Sequence, residues 1–203
     1  MKQPRLVKVS KEMSYILRHK PPPEMDKSGF VPLETLMRCM KCRPSIKEIL
    51  LVVEGNDKKR FVVEGMVNNE AGGQGVMASA RIRAAQGHSV ILEEPILEAL
   101  TQESVSKETN LLAVHGTSKK NFQRIAESGE LRRMNRQHVH FSTKSVHLRR
   151  DSLAAVLLQV DLPAALASGL QFFRSTNDVV LTPGPVPLQY LKQIDRSQLP
   201  DGW

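Results

Sequence analysis

The sequence is poor in aromatic side chains, poor in cysteine, and without any long apolar run. Aromatics are 4% of the 203 residues, which argues against the broad stacking platforms on which single-strand binders spread bases. The only cysteines, Cys39 and Cys42 in RCMKC, make one C-x-x-C. No second pair completes a zinc site and the surroundings read as helix, so they are taken as free thiols of a reducing compartment. No stretch approaches the roughly 20 apolar residues of a membrane span. The first residues also lack the apolar core and cleavage site of a secretory signal. The expectation is a soluble intracellular protein, cytoplasmic or nuclear. Neither a Walker A nor a GxGxxG pattern occurs, so the common nucleotide-binding folds are not indicated.

What the chain does have is positive charge. Lys and Arg number 29 against 21 Asp and Glu, a formal net charge of +8, and the sequence pI is about 9.7. That balance favours polyanionic partners, because a basic surface raises the local concentration of phosphate-bearing ligands. With 40% hydrophobic and 25% charged residues, the composition is that of an ordinary globular protein with room for two small lobes.

The patterning changes near the middle of the chain. Residues 7–19 carry apolar residues at 9, 13, 16 and 17, a helical stripe with Ser10 as its expected N-cap. Three prolines at 21–23 end it. FVPLETLMRCMK resumes as helix with Pro32 in its first turn. SIKEILLVVEG is a third helix, opened by a Ser45–Glu48 capping box. RFVVE and ASARIRAAQGHSVIL suggest a hairpin, with the glycine-rich MVNNEAGGQGVM at its tip. Helices followed by a two-stranded wing describe a winged helix. The acidic residues 93–110 read as a linker with a single helical turn. Beyond it LLAVHGT, HVHFS, AAVLLQVDL, FFRS and VVLTPG read as short strands. SKKNFQRIAESG is a helix closed by Gly129, and LPAALASG is a second, small one. The expected fold class is therefore α+β, with a lobe over 1–92, a linker over 93–110 and a β-rich lobe over 111–203.

Three basic clusters stand out. In RRMNRQHVHFS, read as a strand, alternation puts Arg136, His138, His140 and Ser142 on one face and Gln137, Val139 and Phe141 on the other. Two histidines suit zinc, but a guanidinium on their face repels a cation and suits a phosphate or pyrophosphate, which arginine grips in bidentate fashion. Arg18 and His19 end the first helix, where cations also simply complement the helix dipole. Arg81 and Arg83 alternate onto one strand face before the polar turn QGHS. NDKKRF reads as a solvated basic turn. His115, Gly116 and Thr117 stand between a strand end and a helix start, where free N–H groups can hold a phosphate. Thr117 or Ser118 serves equally as a plain N-cap. For each cluster a solvated basic surface remains the simpler alternative. Taken together, arginines without an accompanying acidic cluster suit phosphate binding and the stabilisation of negative charge. They do not suit a metal-assisted nuclease, which needs carboxylates.

In order, MSYILRHKP, GNDKKRF, RIRAAQGHSV, AVHGT, MNRQHVHFS and FFRSTNDVVLTPG resemble the NAD-dependent RNA 2′-phosphotransferases, also called tRNA 2′-phosphotransferases, over roughly residues 7–195. The resemblance implies an N-terminal winged-helix RNA lobe and a C-terminal NAD lobe of ADP-ribosyltransferase type. It implies removal of an internal 2′-phosphate left in RNA by splicing, with NAD consumed and no metal. A 2′-phospho-ADP-ribosylated RNA intermediate resolves to 2′-hydroxyl RNA and ADP-ribose 1″,2″-cyclic phosphate. The family's catalytic Arg-His-Arg-Arg set matches Arg18, His19, Arg83 and Arg136. Its NAD-contacting motif matches His115, Gly116 and Thr117, to which the face shared by His138, His140 and Ser142 is added. A monomer is expected. Two departures are visible: the connection after LRHKP is shortened to PPEMDKSGFV, and the segment before Arg81 is longer than usual. The competing readings are an ADP-ribosyltransferase that stops after the first step and modifies nucleic-acid phosphate ends, and a non-catalytic winged-helix module. A hydrolase with a metal on His138 and His140 ranks last.

Overall fold

The computed structural model describes residues 3–68, 74–108, 111–148, 154–200 and 203. The chain divides into two compact units, Met1–Ile96 and Leu97–Trp203, both built from helices and antiparallel strands.

The first unit opens with α1 (Pro4–His19). It begins earlier than the stripe alone suggests, so Ser10 lies inside the helix and is not its N-cap. Proline at the first helical position needs no N–H partner, and Leu6 adds a contact to the apolar face at the start. Lys20, before Pro21, leaves the helical region at φ −144°. A short strand β1 (Val31–Pro32) leads into α2 (Leu33–Cys39), preceded by Pro32 as expected. α3 (Ile46–Glu54) carries the expected capping box: Ser45 Oγ accepts from Glu48 N, and the Glu48 carboxylate accepts from Ser45 N. Glu48 is held down at about 2, first by Arg5 and then by the Ser45 N–H.

β2 (Phe61–Asn68) and β3 (Gln74–Ala84) form the hairpin; the centre of its tip, 69–73, lies outside the described residues. The sheet order is β1-β3-β2, and Ile82 pairs with Val63 on one side and Val31 on the other. Val9, Met13, Leu17, Leu36, Ile49 and Ile82 are fully buried in one core. Cys39 is exposed and Cys42 buried, both as free thiols.

In the second unit, part of the segment read as a linker is structured. β4 (Leu97–Leu100) pairs with a strand some 75 residues later, and α4 (Gln102–Lys107) follows with its own Thr101–Ser104 capping box. Then come β5 (Val114–Thr117), α5 (Lys119–Ser128), β6 (Glu130–Leu131), β7 (Val139–Ser142), β8 (Val156–Val160) and α6 (Leu162–Ala167). β9 (Phe172–Ser175), β10 (Val179–Thr182), β11 (Val186–Pro187) and β12 (Leu191–Ile194) complete it. Seven strands make one antiparallel sheet in the order β12-β8-β5-β7-β10-β9-β4. α5 is capped by Ser118 and ends at Gly129, which is left-handed at φ 74° as a C-terminal glycine should be. Phe141 and Phe172 are buried at the centre of this unit's main core.

Candidate active site

The first group of basic residues gathers where α1 meets the turn after β3. Arg18 and His19 occupy the last turn of α1, whose final carbonyls have no partner within the helix. The Arg18 carbonyl is satisfied from outside: Ser89 N–H donates to it at 3.0 Å, and the Ser89 hydroxyl stands 3.3 Å from it. His19 Nδ1 lies 3.0 Å from the same Ser89 oxygen. Gly87 is left-handed at φ +89°, and a Cβ there would stand 3.6 Å from Cζ and Nε of Arg18. The Arg18 side chain therefore lies along the backbone of the QGHS turn.

Arg83 comes from β3, four residues before Gly87. It is 3% exposed, with Cζ 5.3 Å from the centre of the Phe30 ring. Burial lowers its pKa, opposed by Glu64 and Asp26, but a guanidinium stays charged. Arg81 shares that face, 4.4 Å over the same ring, so the alternation expected of the strand holds. Arg81 is exposed and neutralised, however, by Glu64 at 2.8 Å and Asp26 at 3.1 Å. Two arginines alike in sequence thus differ in burial and in exposure to carboxylates.

The NDKKRF turn is more ordered than a solvated loop. Asn56 is buried; its side-chain oxygen accepts from Lys58 N at 3.2 Å and Arg60 Nη1 at 3.1 Å. The Arg60 carbonyl accepts from Ala85 N at 2.8 Å, and burial lowers the Arg60 pKa. Arg60 is thereby fixed against the exit of β3, next to the residues that follow Arg83. The sequence reading quoted the segments that hold Arg60 and Ser89, NDKKRF and QGHS, without singling out either residue. Their signals, a buried asparagine four residues before an arginine and a serine ending QGHS, gain meaning only from their long-range partners.

The second group lies in the other unit. β5 carries His115, Gly116 and Thr117 between β7 and β8. The His115 ring crosses to β7, where Nδ1 lies 2.9 Å from the carbonyl oxygen of His140. A carbonyl only accepts, so Nδ1 carries the proton and His115 presents an acceptor at Nε2 in its neutral form. Its ring also meets Phe141 edge-on, centroids 6.0 Å apart. A Cβ on Gly116 would stand 2.8 Å from the Cβ of Ala154, so glycine is required there by packing. Thr117 is buried and Ser118, not Thr117, supplies the cap of α5.

The strand in RRMNRQHVHFS begins only at Val139. Within it parity holds: Val139 and Phe141 are buried, His140 and Ser142 half-buried. Arg136 and His138 are not part of the strand, so a common face with His140 does not follow from parity. Arg136 is exposed in a turn whose N–H returns to the Arg133 carbonyl at 3.2 Å, after Met134 at φ 55°. Residues 136–138 are bends, and strand parity does not extend through them. His138 packs edge-on to Phe173, centroids 6.5 Å apart. Burial, and secondarily the charge of Arg133, lower its pKa and so favour the neutral ring. Among the described residues no cluster of three or more His, Cys, Asp or Glu is arranged to hold a metal ion.

Residues 4–184 match the model of the RNA 2′-phosphotransferase, Tpt1 / KptA family. The chain belongs to this family. It is 34% identical over 194 residues to a probable RNA 2′-phosphotransferase of Rhizobium johnstonii, covering 91% of this chain and 92% of that protein. With the tRNA 2′-phosphotransferase 1 of Mus musculus it shares 37% identity over 193 residues, 90% and 72% of the two chains. With the tRNA 2′-phosphotransferase of Saccharomyces cerevisiae it shares 29% over 208 residues, 95% and 85%. Membership makes the chain a transferase of the RNA 2′-phosphotransferase class, whose activity is NAD-dependent removal of a 2′-phosphate from RNA. No helix among the described residues is long and apolar enough to cross a membrane.

Proposed function

We propose that this chain moves the internal 2′-phosphate of spliced RNA, tRNA foremost, onto NAD, in two steps carried by Arg18, His19, Arg83 and Arg136. The observation that carries the reading is the tie between α1 and the segment after β3, which gives Arg18 and His19 a fixed backbone beside the turn that follows Arg83. In this reading Arg18, His19 and Arg83 hold the RNA 2′-phosphate. A phosphate dianion is already a nucleophile, so its attack on the anomeric carbon of the nicotinamide ribose, expelling nicotinamide, needs no general base. The arginines serve that step by orientation, because a cation beside a developing oxocarbenium is unfavourable. In the second step the ribose 2-hydroxyl of the attached ADP-ribose attacks the phosphate. Negative charge then builds on the phosphoryl oxygens, where Arg136 acts. The products are 2′-hydroxyl RNA and ADP-ribose 1″,2″-cyclic phosphate.

The second unit is proposed as the NAD lobe, of ADP-ribosyltransferase type. The donor set suits the dinucleotide: Gly116 keeps the strand free of a side chain, Nε2 of His115 can accept from a ribose hydroxyl, and Arg136 is cationic. Thr117, His138, His140 and Ser142 are proposed to line the same ligand. The order helix, strand, helix, helix, strand, strand in the first unit, with β1-β3-β2 pairing, supports the winged-helix RNA lobe. The division of the chain at Ile96 is consistent with one lobe for each substrate. The protein is proposed to act as a monomer within the cell and without a metal.

The test is incubation with an oligonucleotide bearing an internal 2′-phosphate, with and without NAD, in the presence of EDTA. The expected result is NAD-dependent, EDTA-resistant release of the cyclic phosphate. Accumulation of 2′-phospho-ADP-ribosylated RNA as the end product would indicate an ADP-ribosyltransferase that stops after the first step. Activity without NAD, or its loss to EDTA, would overturn the reading.

A further inference from the structure

One small side chain, Ser89, connects the two arms of the proposed phosphate site. Its N–H donates to the Arg18 carbonyl at 3.0 Å, its hydroxyl oxygen is 3.3 Å from that carbonyl, and His19 Nδ1 is 3.0 Å from that hydroxyl oxygen. A hydroxyl has one hydrogen to give. The Arg18 carbonyl can only accept, so both contacts of the hydroxyl are hydrogen bonds only when the Ser89 hydrogen goes to that carbonyl. Toward His19 the serine oxygen then acts as acceptor, and the proton between them belongs to Nδ1.

We infer that Ser89 is a positioning residue, which holds His19 with a protonated Nδ1 and turns the ring so that Nε2 meets the 2′-phosphate. The inference rests on the reading that His19 takes part in phosphate binding. His19 needs such a restraint because it is exposed and is the last residue of α1, where helices fray. Tyr15, one turn earlier, stands with its ring centroid 6.0 Å from that of His19. The tie spans 70 residues of sequence, so it forms only when α1 and the turn after β3 are packed. A serine acceptor at Nδ1 is compatible with both the neutral Nδ1–H form and the imidazolium, in which Nε2–H donates to an anion. A donor at that position would oppose the imidazolium. The same residue that meets the His19 ring also caps the backbone carbonyl of Arg18, so it ties the end of α1 that carries the Arg-His pair.

The decisive measurement is a long-range ¹H–¹⁵N correlation spectrum of the histidine rings in the full-length protein. It is recorded above the histidine pKa, without RNA or NAD, with His19 assigned by loss of its signals in His19→Gln. Expected for the native chain is a protonated Nδ1 and an unprotonated Nε2 on His19. In Ser89→Ala the pattern should shift toward protonated Nε2, while Ser89→Thr, which keeps the hydroxyl, should retain the native one. In turnover, Ser89→Ala should raise KM for 2′-phosphorylated RNA about fivefold, as expected for one hydrogen bond, with KM for NAD unchanged and Ser89→Thr restoring it. An Nε2–H form dominant in the native chain would overturn the inference, and so would a Ser89→Ala spectrum and KM indistinguishable from native. Should Ser89→Ala fail to fold, the spectra of the native chain and Ser89→Thr still decide the tautomer. Because the spectrum needs neither substrate, its failure is distinct from failure of the phosphotransfer reading, which the EDTA assay reports.

Discussion

Arg81 and Arg83 stand over the same ring, Phe30, at 4.4 Å and 5.3 Å, yet Arg81 is spent on two carboxylates while Arg83 is buried. The exposed pairs of Arg81 are worth little to stability, and its charge is already balanced. Arg81→Gln should therefore leave kcat/KM for 2′-phosphorylated RNA within about threefold of native. Arg83→Lys should lower it by about 100-fold, since lysine cannot reproduce a planar bidentate grip. Equal losses at the two positions would remove the distinction drawn between them.

Arg136 is proposed to act on the phosphate in the second step. Replacing it by alanine should slow resolution of the phospho-ADP-ribosylated RNA about 100-fold while leaving its formation nearly intact. The intermediate should therefore accumulate on a denaturing gel of end-labelled RNA. A variant that forms no intermediate would place Arg136 in the first step or in NAD binding.

The contact of Gly116 with Ala154 sets a steric test. A Cβ would approach Ala154 Cβ to 2.8 Å, closer than packed carbons tolerate, so Gly116→Ala should cost about 1–3 kcal/mol through overpacking. For a chain of this length that is a fall in Tm of roughly 2–12 °C, read by thermal melting. The double change Gly116→Ala with Ala154→Gly should recover part of it.

His138 gives a pH signature. Its pKa is lowered from 6.5, first by burial and then by Arg133, so the unfolded chain binds the proton more readily than the folded one. Stability from this group is complete above 6.5 and falls as pH drops below that value toward the folded pKa. The Tm loss between pH 7.5 and 5.5 should be larger for the native chain than for His138→Gln. Arg133→Gln should raise the His138 pKa only part of the way, because burial is the larger cause. An NMR titration placing His138 at or above 6.5 would contradict this account.

Several elements were legible from short-range chemistry. The Ser45–Glu48 capping box, the left-handed Gly129 that ends α5, and the alternation of Val139, His140, Phe141 and Ser142 all depend on residues within four positions of each other. The motif order from Arg18 to Arg136 identified the family without coordinates. Where reading by parity failed, the cause was also local but invisible: residues 136–138 bend, and the strand begins only at Val139.

The remainder belongs to tertiary structure, for one physical reason: hydrogen bonds and burial depend on partners far along the chain. The motifs determined the family and named the arginines and histidines proposed to hold its phosphates. Only packing decided that Arg83 is buried while Arg81 is paired to Glu64 and Asp26. Packing likewise made residues 97–100 an edge strand beside β9 where the acidic composition suggested a linker. It gave His115 the carbonyl of His140 and His19 the hydroxyl of Ser89, 25 and 70 residues away. Sequence named the charged groups; the fold set their burial and their neighbours.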